Sequence, residues 1–283
     1  MDQSTEASIN ACVKAALAED IGDGDITAQL IPENTYAEAK LLCRDQAVIA
    51  GQPWFEAVFA AIDPTILIKW QIREGSLVEA GTELMVCTGP ARAILTAERT
   101  AMNFLQTLSG TATATFELAQ KITHTKAKLL DTRKTLPGLR LAQKYAVRIG
   151  GGENHRIGLF DAFLIKENHI LAAGGIKAAI LAARTLAPNK RLEIEVESLD
   201  ELDIAIASGP DWIMLDNFSL TDLRSAVART PSSIKLEASG GIDGAKALVD
   251  IAETGVDYIS IGALTKHCRA VDLSLRFGEH SMP

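Results

Sequence analysis

From about residue 126 the chain alternates short apolar runs with longer amphipathic ones. The short runs are KLLD (128–131), DAFLIK (161–166), LEIEVE (192–197), DWIMLD (211–216), IKLEAS (234–239) and DYISIG (257–262). Between them lie helix-period segments such as GGIKAAILAARTLA, LDELDIAIAS, LTDLRSAVAR and DGAKALVDIAETG. Strand–helix repetition with short links predicts a parallel sheet. Six such units without a dinucleotide fingerprint predict a closed α/β barrel rather than an open sheet, with a seventh strand near ENHRIGLF. Upstream the texture is α+β. A helix is predicted over Ser8 to Glu19, with Ile9, Val13, Ala16 and Leu17 on one stripe. Short β-like runs follow (AEAKLLC, TILIKW, ELMVCTG), separated by the helical QPWFEAVFAAI and the turn-forming REGSLVEAG. Two helices then come in succession, AILTAERTAMNFLQTLSG and TATATFELAQKITH. The tail AVDLSLRF reads as a strand able to pair back with the first domain. The expected organisation is an N-terminal α+β domain over 1–110, a barrel over 111–269, and a tail, about 270–283, returning to the first domain.

Composition narrows the function classes. A chain of 283 residues with 47% hydrophobic content supports a sizeable core, and its 5% of aromatics suits helix–sheet packing. A net charge of -8 argues against nucleic acid as a partner, because duplex binding needs a broad cationic face. Against that acidity, Leu129 to Gly158 holds six Lys/Arg residues and a His in thirty positions, which points to a small anionic ligand. Cys12, Cys43, Cys87 and Cys268 form no zinc pattern and read as reduced thiols of a cytoplasmic protein. The start MDQSTEASIN is unlike a signal or transit peptide, and no apolar run suits a membrane span. The Asp/Gly-rich DIGDGDIT lacks calcium-loop spacing and reads as a capped turn.

In a barrel the carboxyl ends of the strands build the active site, and each predicted strand here ends in a reactive side chain or a glycine turn. The first runs into Asp131, Arg133 and Lys134. The second ends at Lys166, followed by Glu167, Asn168 and His169. The third carries Glu195 and Glu197, the fourth Asp216 and Asn217. The last two end in Ser239-Gly240-Gly241 and Ser260-Ile261-Gly262, turns suited to receive phosphate. GGGENHR matches no nucleotide P-loop. His155 and Arg156 directly after the glycines favour an anion site, whereas His124, His267 and His280 read as structural. Strand alternation puts Glu193, Glu195 and Glu197 on one face. Their partners would be a hard divalent cation such as Mg²⁺, ribose hydroxyls, or Lys134 and Lys166 as salt bridges.

These motifs resemble the quinolinate phosphoribosyltransferase family almost end to end: AERTAMNFLQTLSGTAT, DTRKTLPGLR, GGGENHRIGLFDAFLIKENHI, EIEVESL, IMLDNF, EASGGI and ISIGALT, in that order. The resemblance implies an N-terminal α/β sandwich domain with a barrel, in a homodimer. It implies an enzyme that transfers phosphoribosyl from 5-phosphoribosyl diphosphate to quinolinate with loss of CO₂, giving nicotinate mononucleotide and diphosphate in NAD synthesis. It implies quinolinate ligands at Arg99, Arg133, His155, Arg156 and Lys166, with Arg99 reaching the partner subunit's site. It places Lys134, Glu195, Asp216 and the turns Ser239–Gly241 and Ser260–Gly262 around the sugar donor and Mg²⁺, with Glu195 and Asp216 on the metal directly or through water. Rival readings are a molybdenum-locus paralogue of the same architecture, a Schiff-base aldolase using Lys134 or Lys166, and a non-catalytic sensor of phosphorylated metabolites.

Overall fold

The computed structural model describes residues 3–242 and 244–278. His280 and the rest of the tail beyond Gly278 lie outside the described residues. The chain divides into two compact units, one holding residues up to Phe116 with Leu136–Gly150 and the segment from Thr265 on, the other holding Glu117–Thr135 and Gly151–Leu264.

The first unit is built on an antiparallel sheet. Its strands are β1 (Tyr36–Cys43), β3 (Leu67–Trp70) and β5 (Glu83–Pro90), with β2 (Ala47–Val48) and β4 (Leu77–Val78) forming a separate ribbon. The tail supplies β12 (Leu273–Phe277), which pairs with β1 in the register Leu41 to Leu275 and gives the sheet order β12-β1-β5-β3. Strand alternation buries Ala37, Ala39, Leu41 and Cys43 on one face of β1. Helix α1 (Gln3–Ile21) and helix α2 (Gln52–Ile62) add Ile9, Val13, Trp54, Phe55, Val58 and Phe59 to the same core. The Glu74 carboxylate accepts from the backbone N–H groups of Gly51 and Gln52 at the start of α2, which satisfies two donors that lack a helical partner. In the DIGDGDIT loop, Asp25 accepts from the N–H groups of Thr27 and Ala28 and so caps the turn.

One expectation is corrected here. The segment read as two helices is one, α3 (Ala91–Lys121). Gly110 does not break it; a Cβ there would lie 2.0 Å from the Arg269 carbonyl oxygen, so the glycine serves close backbone approach. The compact units are also not single blocks of the chain. The middle of the basic island folds as α4 (Arg140–Ile149), whose Ala142 and Ala146 enter the first unit's core. Its Tyr145 packs on Trp54 with ring centroids 5.2 Å apart and donates to Glu74. Leu136–Gly150 therefore packs with the first unit, inside the span expected to be barrel. Arg140, Lys144 and Arg148 leave the island with it, Lys144 as a buried cation; the charge pattern masked a helix.

The second unit is a six-stranded parallel sheet. Its strands are β6 (Lys128–Leu130), β7 (Ala162–Ile165), β8 (Arg191–Val196), β9 (Trp212–Asp216), β10 (Lys235–Ser239) and β11 (Tyr258–Ser260), in the order β6-β11-β10-β9-β8-β7. A seventh position, at Glu153 in the predicted region, is a single parallel bridge to Leu130. Residue 153 thus sits beside β6 at one end of the order, yet the side chain of His155 touches β8 and β10. Only a curled sheet allows both, and the touched face is the enclosed one. The register places Glu193, Glu195, Asp216, Glu237, Ser239 and Ser260 on that face. The opposite face carries Leu192, Ile194, Ile213, Leu215, Leu236 and Ile259, all buried. Helix α5 (Glu167–Ala173) follows β7, and helices α6 (Ile176–Leu186), α7 (Leu199–Ser208) and α8 (Leu220–Arg229) bury a matching apolar side. Ser198 and Ser219 cap α7 and α8 through side-chain oxygens.

Candidate active site

The strand ends deliver four groupings. In the first, the buried Asp131 after β6 accepts from the His155 N–H at 2.9 Å and from the Asn154 side chain at 2.5 Å, tying the loop that carries Arg156 to the end of β6. Arg133 follows two residues later. Its Nε is buried without a hydrogen-bond partner among the described residues, a donor in want of an acceptor. Burial and then the neighbouring Arg133 charge hold Arg156 below the usual arginine range. Two guanidinium groups crowded in this way demand anionic compensation.

The second grouping is at β7 and β8. Lys166 ends β7 and its Nζ lies 2.5 Å from Glu195 on β8. This is the salt bridge weighed against a metal from the sequence, and it uses one carboxylate oxygen. A pocket of about 170 Å³ opens beside Glu195, lined also by Glu167, Ile170, Leu171, Glu197 and Glu201.

The third lies at β9 and β10. Asp216 pairs in register with Ser239. Asn217 donates its amide to Asp216 at 2.8 Å and its N–H to the Ser239 carbonyl at 2.9 Å. Asn217 has φ 55, the one non-glycine residue with positive φ among those described. A Cβ on Gly240 would lie 2.2 Å from the Asn217 Oδ1, so Gly240 is what lets this amide lie against the turn. Gly240 and Gly241 both have positive φ. The fourth grouping joins Lys134 to the last turn, since a Cβ on Gly262 would come within 2.9 Å of the lysine Cδ. Ile261 does not offer its N–H to a ligand there; that group bonds the Leu130 carbonyl at 3.0 Å. The Ser260 side chain and Gly262 are left to line the turn.

Behind these groups, His155 is 6% exposed and Glu193 and Glu237 are fully buried. The His155 Nε2 lies 2.8 Å from Glu193 and 3.3 Å from Glu237, and its N–H points squarely at neither, so the contacts are ionic more than directional. Nδ1 accepts from the Arg156 N–H at 2.7 Å. Both ring nitrogens are therefore engaged by protein groups. Burial lowers the His155 pKa, but the contacts with Glu193 and Glu237 outweigh it and push it up to about 9. Burial and the nearby Glu237 charge push Glu193 up to about 7. His155 and Glu193 therefore both hold their protons more tightly than they would apart. Glu237 was not singled out from the sequence, although the alternation of KLEAS, with Ser239 at the strand's end, puts it on the enclosed face.

Arg99 lies exposed on α3, in the first unit. His124 pairs with Glu253 at 3.2 Å, both exposed, as a structural residue would.

The sequence models of quinolinate phosphoribosyl transferase match this chain in both parts, the N-terminal domain over residues 25–109 and the C-terminal domain over 111–276. The chain belongs to the quinolinate phosphoribosyltransferase family. Among relatives of this family, the nicotinate-nucleotide pyrophosphorylase [carboxylating] of Mycobacterium leprae is 42% identical over 273 residues, covering 93% of this chain and 95% of the relative. A probable nicotinate-nucleotide pyrophosphorylase [carboxylating] of Bacillus subtilis is 41% identical, covering 91% and 89%. The solved structure of the nicotinate-nucleotide pyrophosphorylase from Francisella tularensis superposes with a TM-score of 0.93 at 51% identity, over 96% of each chain. The quinolinate phosphoribosyltransferase fold thus accounts for both the antiparallel sheet unit and the curled parallel sheet with its charged interior.

Proposed function

We infer that this chain catalyses transfer of the phosphoribosyl group from 5-phosphoribosyl diphosphate to quinolinate with release of CO₂, forming nicotinate mononucleotide and diphosphate. The carrying observation is the buried, unpartnered Arg133 Nε beside the crowded Arg156 guanidinium, at strand ends that the family match covers. Quinolinate brings two carboxylates to that place. Lys166, held by Glu195, adds a third cation. Lys134, Gly262 and Ser260 on one side and Ser239 to Gly241 on the other suit the donor's phosphate and diphosphate.

In the reaction the pyridine nitrogen forms a bond to C1 of the ribose as the C1–O bond to diphosphate breaks, through an oxocarbenium-like state. Asp216 and Glu195 favour the positive charge that develops on the sugar, and Lys134 favours the negative charge that develops on the leaving oxygen. The quaternary nitrogen then draws the electrons of the C2–carboxylate bond into the ring. CO₂ leaves and C2 takes up a proton.

Mg²⁺ is the proposed cofactor. Glu195 and Asp216 offer hard oxygen ligands, each with one carboxylate oxygen already engaged by Lys166 or Asn217, and two carboxylates plus substrate phosphates are what this ion ordinarily takes. When bound it would supply positive charge to the diphosphate. No single helix among the described residues is long and apolar enough to cross a membrane, which fits a cytoplasmic placement.

The test is direct. Protein with quinolinate, the ribosyl donor and Mg²⁺ should yield nicotinate mononucleotide, diphosphate and CO₂. No product at saturating substrates would refute the function, and full turnover in EDTA would refute the metal. A homodimer with Arg99 completing the partner's site is the proposed assembly. Arg99→Ala and Lys134→Ala should each be nearly inactive, and mixed refolded dimers should regain about a quarter of wild-type activity, since half are mixed and each holds one intact site. Parental activity after demonstrated subunit exchange would exclude a role for Arg99 across an interface.

A further inference from the structure

The curled sheet encloses two carboxylates that the reaction above does not touch. Taking Glu193 and Glu237 out of water side by side is unfavourable, and a fold keeps such a pair only where something compensates it. The compensation is the His155 ring, and that ring is caged from three strands. Its Nε2 faces Glu193 of β8 and Glu237 of β10 at 2.8 and 3.3 Å. Its edge meets Trp212 of β9, with centroids 6.4 Å apart and planes at 88°. The backbone N–H of His155 is fixed on Asp131, beyond the end of β6. Trp212 is itself held between the Tyr258 ring, stacked at 4.2 Å, and the Arg191 guanidinium 4.3 Å from its centroid. What the cage leaves to act outward is the next residue. The Arg156 N–H is bonded to the caged ring, and its side chain is anchored on the Ala162 carbonyl at 3.4 Å.

We propose that Glu193 and Glu237 are positioning residues for the dicarboxylate substrate: they fix the His155 ring, and the ring fixes the backbone of Arg156 so that its guanidinium stays beside Arg133. This rests on the quinolinate reading above. The same geometry has one rival. The ligand atoms of His155, Glu193 and Glu237 lie within 4.8 Å of one another, close enough to grip a metal ion, and then the carboxylates would be ligands of that ion instead.

The experiment compares wild type with Glu193→Gln, Glu237→Gln and Glu237→Asp, each checked for fold by circular dichroism. The glutamines keep the volume and remove the charge. Both should raise KM for quinolinate about tenfold or more, while KM for the ribosyl donor and kcat at saturation move by less than about threefold. Glu237→Asp, which keeps the charge, should recover most of the loss. Adding Glu237→Gln to His155→Asn should cost little beyond His155→Asn alone, because the two act as one unit. Should a glutamine variant fail to fold, Glu237→Asp carries the test with a smaller rise in the quinolinate KM alone. Wild-type KM values in both folded glutamine variants would overturn the proposal. So would equal losses in kcat and both KM values, which mark a merely structural role. One equivalent of metal in wild-type protein by mass spectrometry, lost in Glu237→Gln, would install the rival. If wild-type protein forms no nicotinate mononucleotide at all, the functional reading has failed and this inference falls with it.

Discussion

The two units enclose opposite kinds of residue. The antiparallel sheet of the first closes over Trp54, Phe55, Phe59, Leu84 and Met85, and its half-buried carboxylate, Glu74, caps a helix. The parallel sheet of the second is apolar on its outer face, against the helices, and encloses Glu193, Glu237 and His155. Packing explains the apolar part of the first interior, which also holds the buried Lys144 of α4. It cannot explain the second, because a leucine of similar volume would be at least as stabilising as a buried charge. The charged interior marks where the fold serves a ligand and the apolar interior marks where it serves stability.

The sharpest way to break that division is to cut into each side and see which property suffers. Phe59→Ala should cost about 3–5 kcal/mol of unfolding free energy through the lost burial and the cavity left behind. The kcat/KM of the surviving folded fraction should not change, as denaturant titration and an active-site count would show. Arg133→Ala should do the reverse. Loss of charge-assisted contacts of about 1.5–3 kcal/mol raises the quinolinate KM roughly ten- to a hundredfold, with a melting temperature close to wild type. A melting temperature that collapses in Arg133→Ala would dissolve the distinction.

How far this division was legible in the sequence depended on what each signal reports. The strand runs from DAFLIK to IKLEAS were readable because a parallel strand under helices needs a near-continuous apolar outer face. The two-residue period within LEIEVE fixed the direction of Glu193, Glu195 and Glu197, and the strand ends located Lys166, Asp216 and the glycine turns. Helix α4 was not legible. Its Arg140, Lys144 and Arg148 resemble ligand-binding charge when only composition is considered, and its allegiance is set by Trp54 and Glu74, which lie far away along the chain. Glu237 escaped for a related reason. A single carboxylate in an apolar strand looks like a surface residue until its facing partner, His155, is known.

Two smaller effects refine the comparison. Gly110→Ala forces a methyl group to within 2.0 Å of the Arg269 carbonyl. It should cost about 1–3 kcal/mol despite alanine's better helix propensity, as measured by the shift in the urea midpoint. Stability should also decline on the alkaline side through the second unit's cluster. His155 rises from 6.5 to about 9 and Glu193 from 4.5 to about 7. Both groups hold protons more tightly folded than unfolded. The glutamate's share is full below about pH 4.5 and lost as pH rises through 7, and the histidine's is full below about 6.5 and lost through 9. Stability should therefore fall between pH 7 and 9, as the denaturant midpoint would show, with the histidine giving the larger share. Glu237→Gln should flatten that slope; an unchanged slope would mean that the cluster does not govern it.

The pairing of β12 with β1 bears on how the chain is made. Leu41 waits for Leu275 as its neighbour, so the sheet of the first unit cannot be completed until almost the whole described chain has left the ribosome. The parallel sheet, by contrast, has every strand in hand once Ser260 has emerged. Synthesis from the N-terminus usually lets the earlier domain fold first. Here the unit encoded later has all its strands first, and β1 lacks its β12 neighbour until the tail is made.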